Sequence, residues 1–169
     1  EIAFRATFSQ REPAPNQLYW RGPVFWGYDG QRWERIPPEM AYLGEEQRAQ
    51  TLVPQGDALD YSLMLEASNN TILPALDRPL APAEGGIMLR DHSLRFKFPQ
   101  DSRQLVQLRS DPTARLDLVL PDTLRQRALQ LPEADNPLLR DLGASWRALP
   151  PQERIARALD YFATQGFSY

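Results

Sequence analysis

A chain of 169 residues with 42% apolar side chains has the means to bury a core and is not a disordered tail. Nineteen Lys+Arg against 22 Asp+Glu leave a net charge of −3, which gives no electrostatic reason for nucleic acid or an anionic membrane as partner. Cys is absent, which removes disulfides, thiolate metal sites and Cys nucleophiles together, and no run approaches the roughly 18 apolar residues that a bilayer crossing needs.

The chain opens directly in a strand pattern, with Ile2, Phe4, Ala6 and Phe8 alternating with Ala3, Arg5, Thr7 and Ser9. No signal peptide precedes it, so the expectation is a piece of something longer. Next comes an aromatic concentration. Tyr19, Trp20, Phe25, Trp26, Tyr28 and Trp33 fall within fifteen residues and include three of the four tryptophans. Asp29-Gly30 inside that stretch is a preferred type I′ pair. A two-residue loop there sets Tyr28 against Gln31 and predicts Trp26 in contact with Trp33 on one face. Residues 37–57 have the poorest pattern and read as a long loop or a short helix around 45–50.

Strand alternation resumes at Leu59, Tyr61, Leu63 and Leu65, again at Leu94, Phe96 and Phe98, and once more at Leu116, Leu118 and Leu120. Turn residues such as Asn69-Asn70 and Gly85-Gly86 separate these runs. About eight short strands predict a mainly β fold, an antiparallel β-sandwich. The Cys–Trp–Cys signature of antibody domains is missing, so an Ig-like arrangement is an expectation of architecture alone.

From Pro121 the period becomes helical, which puts a boundary between a β-sandwich domain, 1–120, and a helical tail, 121–169. Asp122 caps a short helix ended by Pro132, and Asn136-Pro137 opens a second, whose Leu138, Leu142 and Trp146 share a face with Leu139 and Leu149. A third follows Pro150-Pro151, with Ile155, Leu159 and Phe162 at i, i+4 and i+7 and Gly166 as its stop. An amphipathic helix of this length needs something to pack against. Ile155, Leu159 and Phe162 are therefore a candidate docking face.

Candidate chemistry is sparse. His92, the only histidine, sits in Arg90-Asp91-His92-Ser93 and reads as a solvated turn residue rather than a general base oriented by Asp91. Glu45-Glu46, Asp57, Asp60, Asp117, Asp122 and Asp135 fit turns, caps and solubilising charge; neither a calcium loop nor a phosphate-binding glycine motif is present. No catalytic, cofactor-binding or metal-binding residue is assigned. The aromatic stretch leaves two readings: rings filling the space between sheets, or a patch of Tyr19, Trp20, Trp26 and Trp33 that stacks on sugars or anchors a partner.

Three segments in order resemble the TgpA-type bacterial transglutaminase-like membrane proteins. They are Ile2-Ala3-Phe4-Arg5-Ala6 with Leu18-Tyr19-Trp20-Arg21-Gly22; the hairpin Tyr28-Asp29-Gly30-Gln31-Arg32-Trp33; and the tail Leu129-Gln130-Leu131-Pro132, Asn136-Pro137 and Tyr161-Phe162 through Phe167-Ser168-Tyr169. The resemblance implies a modular protein held by transmembrane helices outside this chain. It places this segment on the periplasmic side of the bacterial inner membrane, ahead of a papain-like core with a Cys-His-Asp triad. In such a core a Cys thiolate attacks a glutamine carboxamide or a peptide carbonyl, and an amine or water resolves the thioester.

None of that machinery maps onto residues here, since Cys is lacking and His92 lies far upstream of the family's histidine. The segment is expected to be inert itself and to brace or position its own downstream transglutaminase-like domain. The alternative is a recognition module for cell-wall glycan, a peptide stem or another envelope protein. An independent Ig-like adhesin with a helical cap is a third reading.

Overall fold

Alternating side chains decide the fold, because each of the long strands turns one row inward. The computed structural model describes residues 3–41, 52–56, 58–116, 121–132 and 136–167. The expected helix around 45–50, and Glu45, Glu46, Asp57, Asp117, Leu118, Leu120 and Asp135, lie outside the described residues.

Strand β6 (Leu59–Leu65) is the centre of the main sheet. It pairs antiparallel with β1 (Phe4–Phe8) on one side and β11 (Gln104–Ser110) on the other, giving the order β1-β6-β11. Leu59, Tyr61, Leu63 and Leu65 of β6 are buried, as are Val106 and Leu108 of β11. A second antiparallel sheet, β7-β10-β9, is formed by Ile72–Leu73, Leu94–Phe96 and Gly86–Met88, and presents Leu73, Met88, Leu94 and Phe96 to the same core. Three two-stranded pieces complete the β structure. β2 (Trp20–Arg21) pairs with β8 (Ala75–Leu76), β3 (Phe25–Tyr28) with β4 (Trp33–Arg35), and β5 (Leu52–Val53) with β12 (Arg115–Leu116). The result is the expected mainly β, antiparallel, sandwich-like fold followed by helices. Fully burying a side chain such as Leu63 or Leu73 contributes roughly 1.5–3 kcal/mol.

A hydroxyl relay ties the layers together. The main-chain N–H of Leu76 donates to the Tyr61 hydroxyl at 2.9 Å, and Ser110 Oγ donates to the Leu76 carbonyl at 2.9 Å. With the Ser110 proton spent there, the 3.0 Å contact between the two hydroxyls is Tyr61 donating to Ser110. Burial pushes the Tyr61 phenol above its ordinary value, although its hydrogen bonds with Ser110 and Leu76 oppose the rise.

Helix α1 (Pro38–Ala41) is a single turn. Helix α2 (Asp122–Ala128) begins at Asp122 with Pro121 as its N-cap, so Asp122 occupies the first turn instead of capping it. Its Leu124 joins Ile36 and Ala41 in a second small core, with Trp26, Met40 and Leu89 packed against it. By internal contacts the chain divides into a unit at residues 1–130, which includes α2, and a unit at 131–169. The latter holds α3 (Pro137–Ser145) and α4 (Pro151–Thr164). Trp146 meets Tyr161 edge-on at 6.0 Å between ring centres, which locks α3 to α4. Gly166, at φ +66°, follows the last helical turn in the left-handed conformation expected of a helix stop.

Two strand expectations need correction. Phe98 is exposed because β10 stops at Phe96, after which the main-chain N–H of Gln100 bonds to the Asn70 carbonyl and the chain turns. The hairpin turns about Gly30-Gln31 instead of Asp29-Gly30: the last ladder pair is Tyr28–Trp33, and the Asp29 N–H still donates to the Arg32 carbonyl at 3.2 Å. The Asp29 carboxylate accepts from Gln31 N at 2.8 Å and Arg32 N at 2.6 Å, which outcompetes a type I′ turn and holds Asp29 below its usual carboxylate range. Tyr28 consequently pairs with Trp33, and an irregularity between Phe25 and Gly27 leaves Trp26 out of the ladder. The expected Trp26–Trp33 pair does not form.

Replacing Tyr61 with Phe strands the buried Leu76 N–H and takes from the Ser110 oxygen the donor it accepts, so the unfolding free energy in urea should fall by about 1–3 kcal/mol. An unchanged midpoint would show that the relay contributes nothing. Asp111 gives a pH test. Burial raises its carboxyl, but bonds from the Thr113 hydroxyl and from main-chain N–H groups of Gln55, Thr113 and Gly56 together hold it below the ordinary value. This stability is present above the unfolded value of about 3.9 and is lost as pH falls through the lower folded value. The stability gap between wild type and Asp111→Asn should therefore shrink as pH drops from about 5 to 2.

Candidate functional site

The four aromatic residues singled out in the sequence separate in space. Trp20 sits on the main core, its ring centre 5.0 Å from Phe4, 6.4 Å from Phe8 and 5.8 Å from Tyr61. Position 20 alternates correctly to face inward because β2 pairs in register with β8, Trp20 opposite Leu76. Trp26 turns to the second core, where its indole Nε1 donates to Asp91 Oδ2 at 3.1 Å. Trp33 is 64% exposed and stacks on Tyr28 at 4.8 Å with the rings 32° from parallel. Tyr19 is also exposed. Half the set is thus spent on packing, and the Tyr28–Trp33 stack is left facing outward together with Tyr19.

The turn at Arg90–Ser93 was legible as a turn but not as a buried one. The main-chain N–H of His92 donates to the Leu89 carbonyl at 3.0 Å and Leu89 N–H to the Ser93 carbonyl at 2.9 Å. His92 takes φ +59° and is 1% exposed, which corrects the expectation of a solvated residue. The turn is drawn inward because Asp91 is a junction. Its Oδ1 accepts from Ser93 N at 3.0 Å and Ser93 Oγ at 2.6 Å, its Oδ2 from Trp26, and its carbonyl from Arg21 Nη1 at 3.3 Å. Arg21 in turn clasps Asp77, with Nε at 2.8 Å and Nη2 at 2.7 Å from Oδ1. Arg90 closes the other side, N–H and Nε donating to the carbonyls of Ala41 and Met40.

A cavity of about 90 Å³ lies beside this junction, walled by apolar side chains such as Val24, Ile36 and Leu94 and by the polar Arg35, Asp91 and Arg95. Both Asp91 oxygens are already engaged, so the arrangement positions groups and offers no poised base. Among the described residues, no group of three His, Cys, Asp or Glu gathers as metal ligands, and no helix is long and apolar enough to cross a membrane.

In the helical unit, Tyr161 of α4 packs on Trp146 just after α3, and Leu142, Trp146, Leu149 and Ala158 are half-buried. The stripe of Ile155, Leu159 and Phe162 faces elsewhere, at 62%, 65% and 63% exposure. Leu138 and Leu139, expected on the shared face of α3, are also exposed. The two helices spend one seam on each other and leave a second apolar seam uncovered within the described residues.

Trp26 and Trp33 should respond differently to substitution. Trp26→Phe removes a hydrogen bond to a buried carboxylate and should cost about 1–3 kcal/mol in denaturant unfolding. Trp33→Ala removes one exposed cross-strand pair and should cost no more than about 1 kcal/mol. Equal losses would contradict the division of roles described above.

Residues 1–117 match the family described as the TgpA N-terminal domain. The protein-glutamine gamma-glutamyltransferase of Pseudomonas aeruginosa is 30% identical over 171 residues, covering 100% of this chain and 25% of that protein. The crystal structure of the periplasmic domain of TgpA from Pseudomonas aeruginosa superposes with a TM-score of 0.88 at 30% identity, covering 100% of this chain and 58% of that one. The same domain bound to ethylmercury gives a TM-score of 0.84 at 28% identity, covering 99% and 58%. The chain therefore spans about a quarter of the curated relative and just over half of each solved domain. Matched over most of its length by the domain and over all of it by a relative, the chain belongs to the TgpA N-terminal domain family.

Proposed function

We propose that this chain is the non-catalytic N-terminal module of a periplasmic, membrane-tethered transglutaminase-like protein, and that it braces a downstream catalytic domain through the outer face of α4. The observation that carries this reading is the uncovered stripe of Ile155, Leu159 and Phe162. Three large apolar side chains in a row along one helix are costly to leave in water, at roughly 1.5–3 kcal/mol each if buried. The occupant of that face is the remainder of the protein. Each solved TgpA periplasmic domain extends well beyond the part this chain matches, and the curated relative is named for glutamyl transfer.

Acyl transfer through a thioester needs a thiolate, and this sequence has no Cys to supply one. The chemistry belongs to the downstream domain, and this module fixes where that domain sits. The extracytoplasmic setting is supported by the periplasmic origin of the solved relatives.

A second reading, recognition of cell-wall glycan or another envelope protein, draws on the exposed Tyr28–Trp33 stack. It is the weaker one, because Trp20 and Trp26 are committed to the two cores.

Ile155→Glu with Leu159→Glu tests the bracing role. In this chain alone, exposed positions should tolerate the pair within about 0.5 kcal/mol per site. In the longer protein that carries the catalytic domain, the same pair should speed proteolysis between the two parts and lower acyl transfer at least severalfold. Unchanged activity and proteolysis in the longer protein would overturn the proposal. The chain alone should release no ammonia from glutamine donors, and turnover by a clean preparation would contradict a non-catalytic role.

A further inference from the structure

The outer edge of β1 holds a row of backbone groups aimed away from its neighbour. Ser9 N–H donates to the Asp60 carbonyl at 2.9 Å and Glu66 N–H to the Ala3 carbonyl at 3.3 Å, which fixes the phase of the ladder. Arg5 and Thr7 spend their N–H and C=O groups on β6, as the phase set by the Ala3 carbonyl and the Ser9 N–H requires. Those of Phe4, Ala6 and Phe8 point the other way, and among the described residues no strand or hydrogen bond meets them. Natural sheets blunt such edges with Pro, Lys, a bulge or a short strand. Phe4–Phe8 contains neither Pro nor Lys, carries a single charge at Arg5, and pairs without interruption over five residues.

The residue pattern along that edge is symmetric about Ala6, with Phe at positions 4 and 8. We propose that β1 pairs antiparallel with β1 of a second copy of this chain, with Ala6 on the two-fold axis. The two main sheets then join into one that runs β11-β6-β1 and back through the partner. Phe4 faces the partner's Phe8, Ala6 faces the partner's Ala6, and each such pair exchanges two main-chain hydrogen bonds.

Side chains favour this register over the one centred on Arg5, and a second copy as the occupant. On the core face, Phe4 and Phe8 already flank Trp20, and pairing continues that aromatic row across the axis. On the solvent face, Arg5 falls opposite the partner's Thr7. Setting Phe4 against the partner's Ala6 instead brings Arg5 directly opposite the partner's Arg5, a like-charge pair that opposes association. In the Ala6-centred register the two guanidiniums are only diagonal neighbours, and each lies 3.4 Å from Glu66 just after its own β6, a carboxylate it shares with Arg103. An unrelated peptide shares the backbone chemistry but not this self-complementary arrangement.

Sedimentation equilibrium of the chain should show the mass rising from one copy toward two as concentration increases. Ala6→Pro removes an N–H that faces away from β6, so the internal ladder survives while the dimer is lost. Thr7→Arg sets a guanidinium opposite the partner's Arg5 and should raise the dissociation constant by up to roughly thirtyfold, with far-UV circular dichroism unchanged. Because the chain is free of Cys, register can be read by cross-linking. A mixture of Arg5→Cys and Thr7→Cys chains should form a disulfide-linked dimer far faster than either variant alone. A protein that stays monomeric at every concentration would overturn the proposal. So would a dimer that Ala6→Pro and Thr7→Arg leave intact, or cross-links that form best with a single variant.

Discussion

The hydroxyl of Tyr61 stands where β6, β8 and β11 come together, and the layered part of the molecule depends on it. Tyr61 is wholly buried with Leu63, Leu73 and Leu76 around the same core. A phenol in such a place is a liability unless both its donor and its acceptor capacity are used. Here the Leu76 N–H and the Ser110 hydroxyl use both, and Ser110 in turn satisfies the Leu76 carbonyl. β8 is only two residues long and pairs with the equally short β2. The relay therefore supplies the fixed attachment that so short a ladder cannot. Through it Trp20, opposite Leu76, is set down on Phe4, Phe8 and Tyr61.

A second junction does similar work around Asp91. Its carboxylate collects Ser93 and Trp26, its carbonyl collects Arg21, and Arg21 is clamped by Asp77. Salt bridges at the surface contribute little, but Arg21 and Asp77 are each about four-fifths shielded and geometrically fixed. The hairpin β3–β4 is held by this junction on one side and by α2 on the other. That leaves Tyr28 and Trp33 as its outward rim.

Much of the β architecture was readable, because burial follows the two-residue period wherever a strand has one wet face. β6 and β1 show this plainly, and the helical seam of α4 was equally legible from the spacing of Ile155, Leu159 and Phe162. β11 escaped notice. Its inward row, Val106, Leu108 and Ser110, contains a buried hydroxyl, while Leu105 on the outward row is 60% exposed and blurs the alternation. The hairpin misreading had a different cause. Asp29-Gly30 fits a two-residue turn by local preference, but one carboxylate accepting two successive N–H groups moves the turn one residue on, to Gly30-Gln31. His92 and Asp91 show a further limit. A polar tetrad reads as surface, and only the positions of Trp26 and Arg21, more than sixty residues earlier, reveal that the turn is drawn into the interior. Such long-range satisfaction of polar groups leaves no trace in periodicity.

The bracing account rests on one claim, that the apolar seam of α4 is covered by the rest of the protein. Hydrogen–deuterium exchange reads this directly. Amides of 151–164 should exchange markedly more slowly in the longer protein than in this chain alone, while those of β6 exchange alike in both. Equal exchange along α4 in the two proteins would mean that nothing docks on the helix, and the account would be wrong.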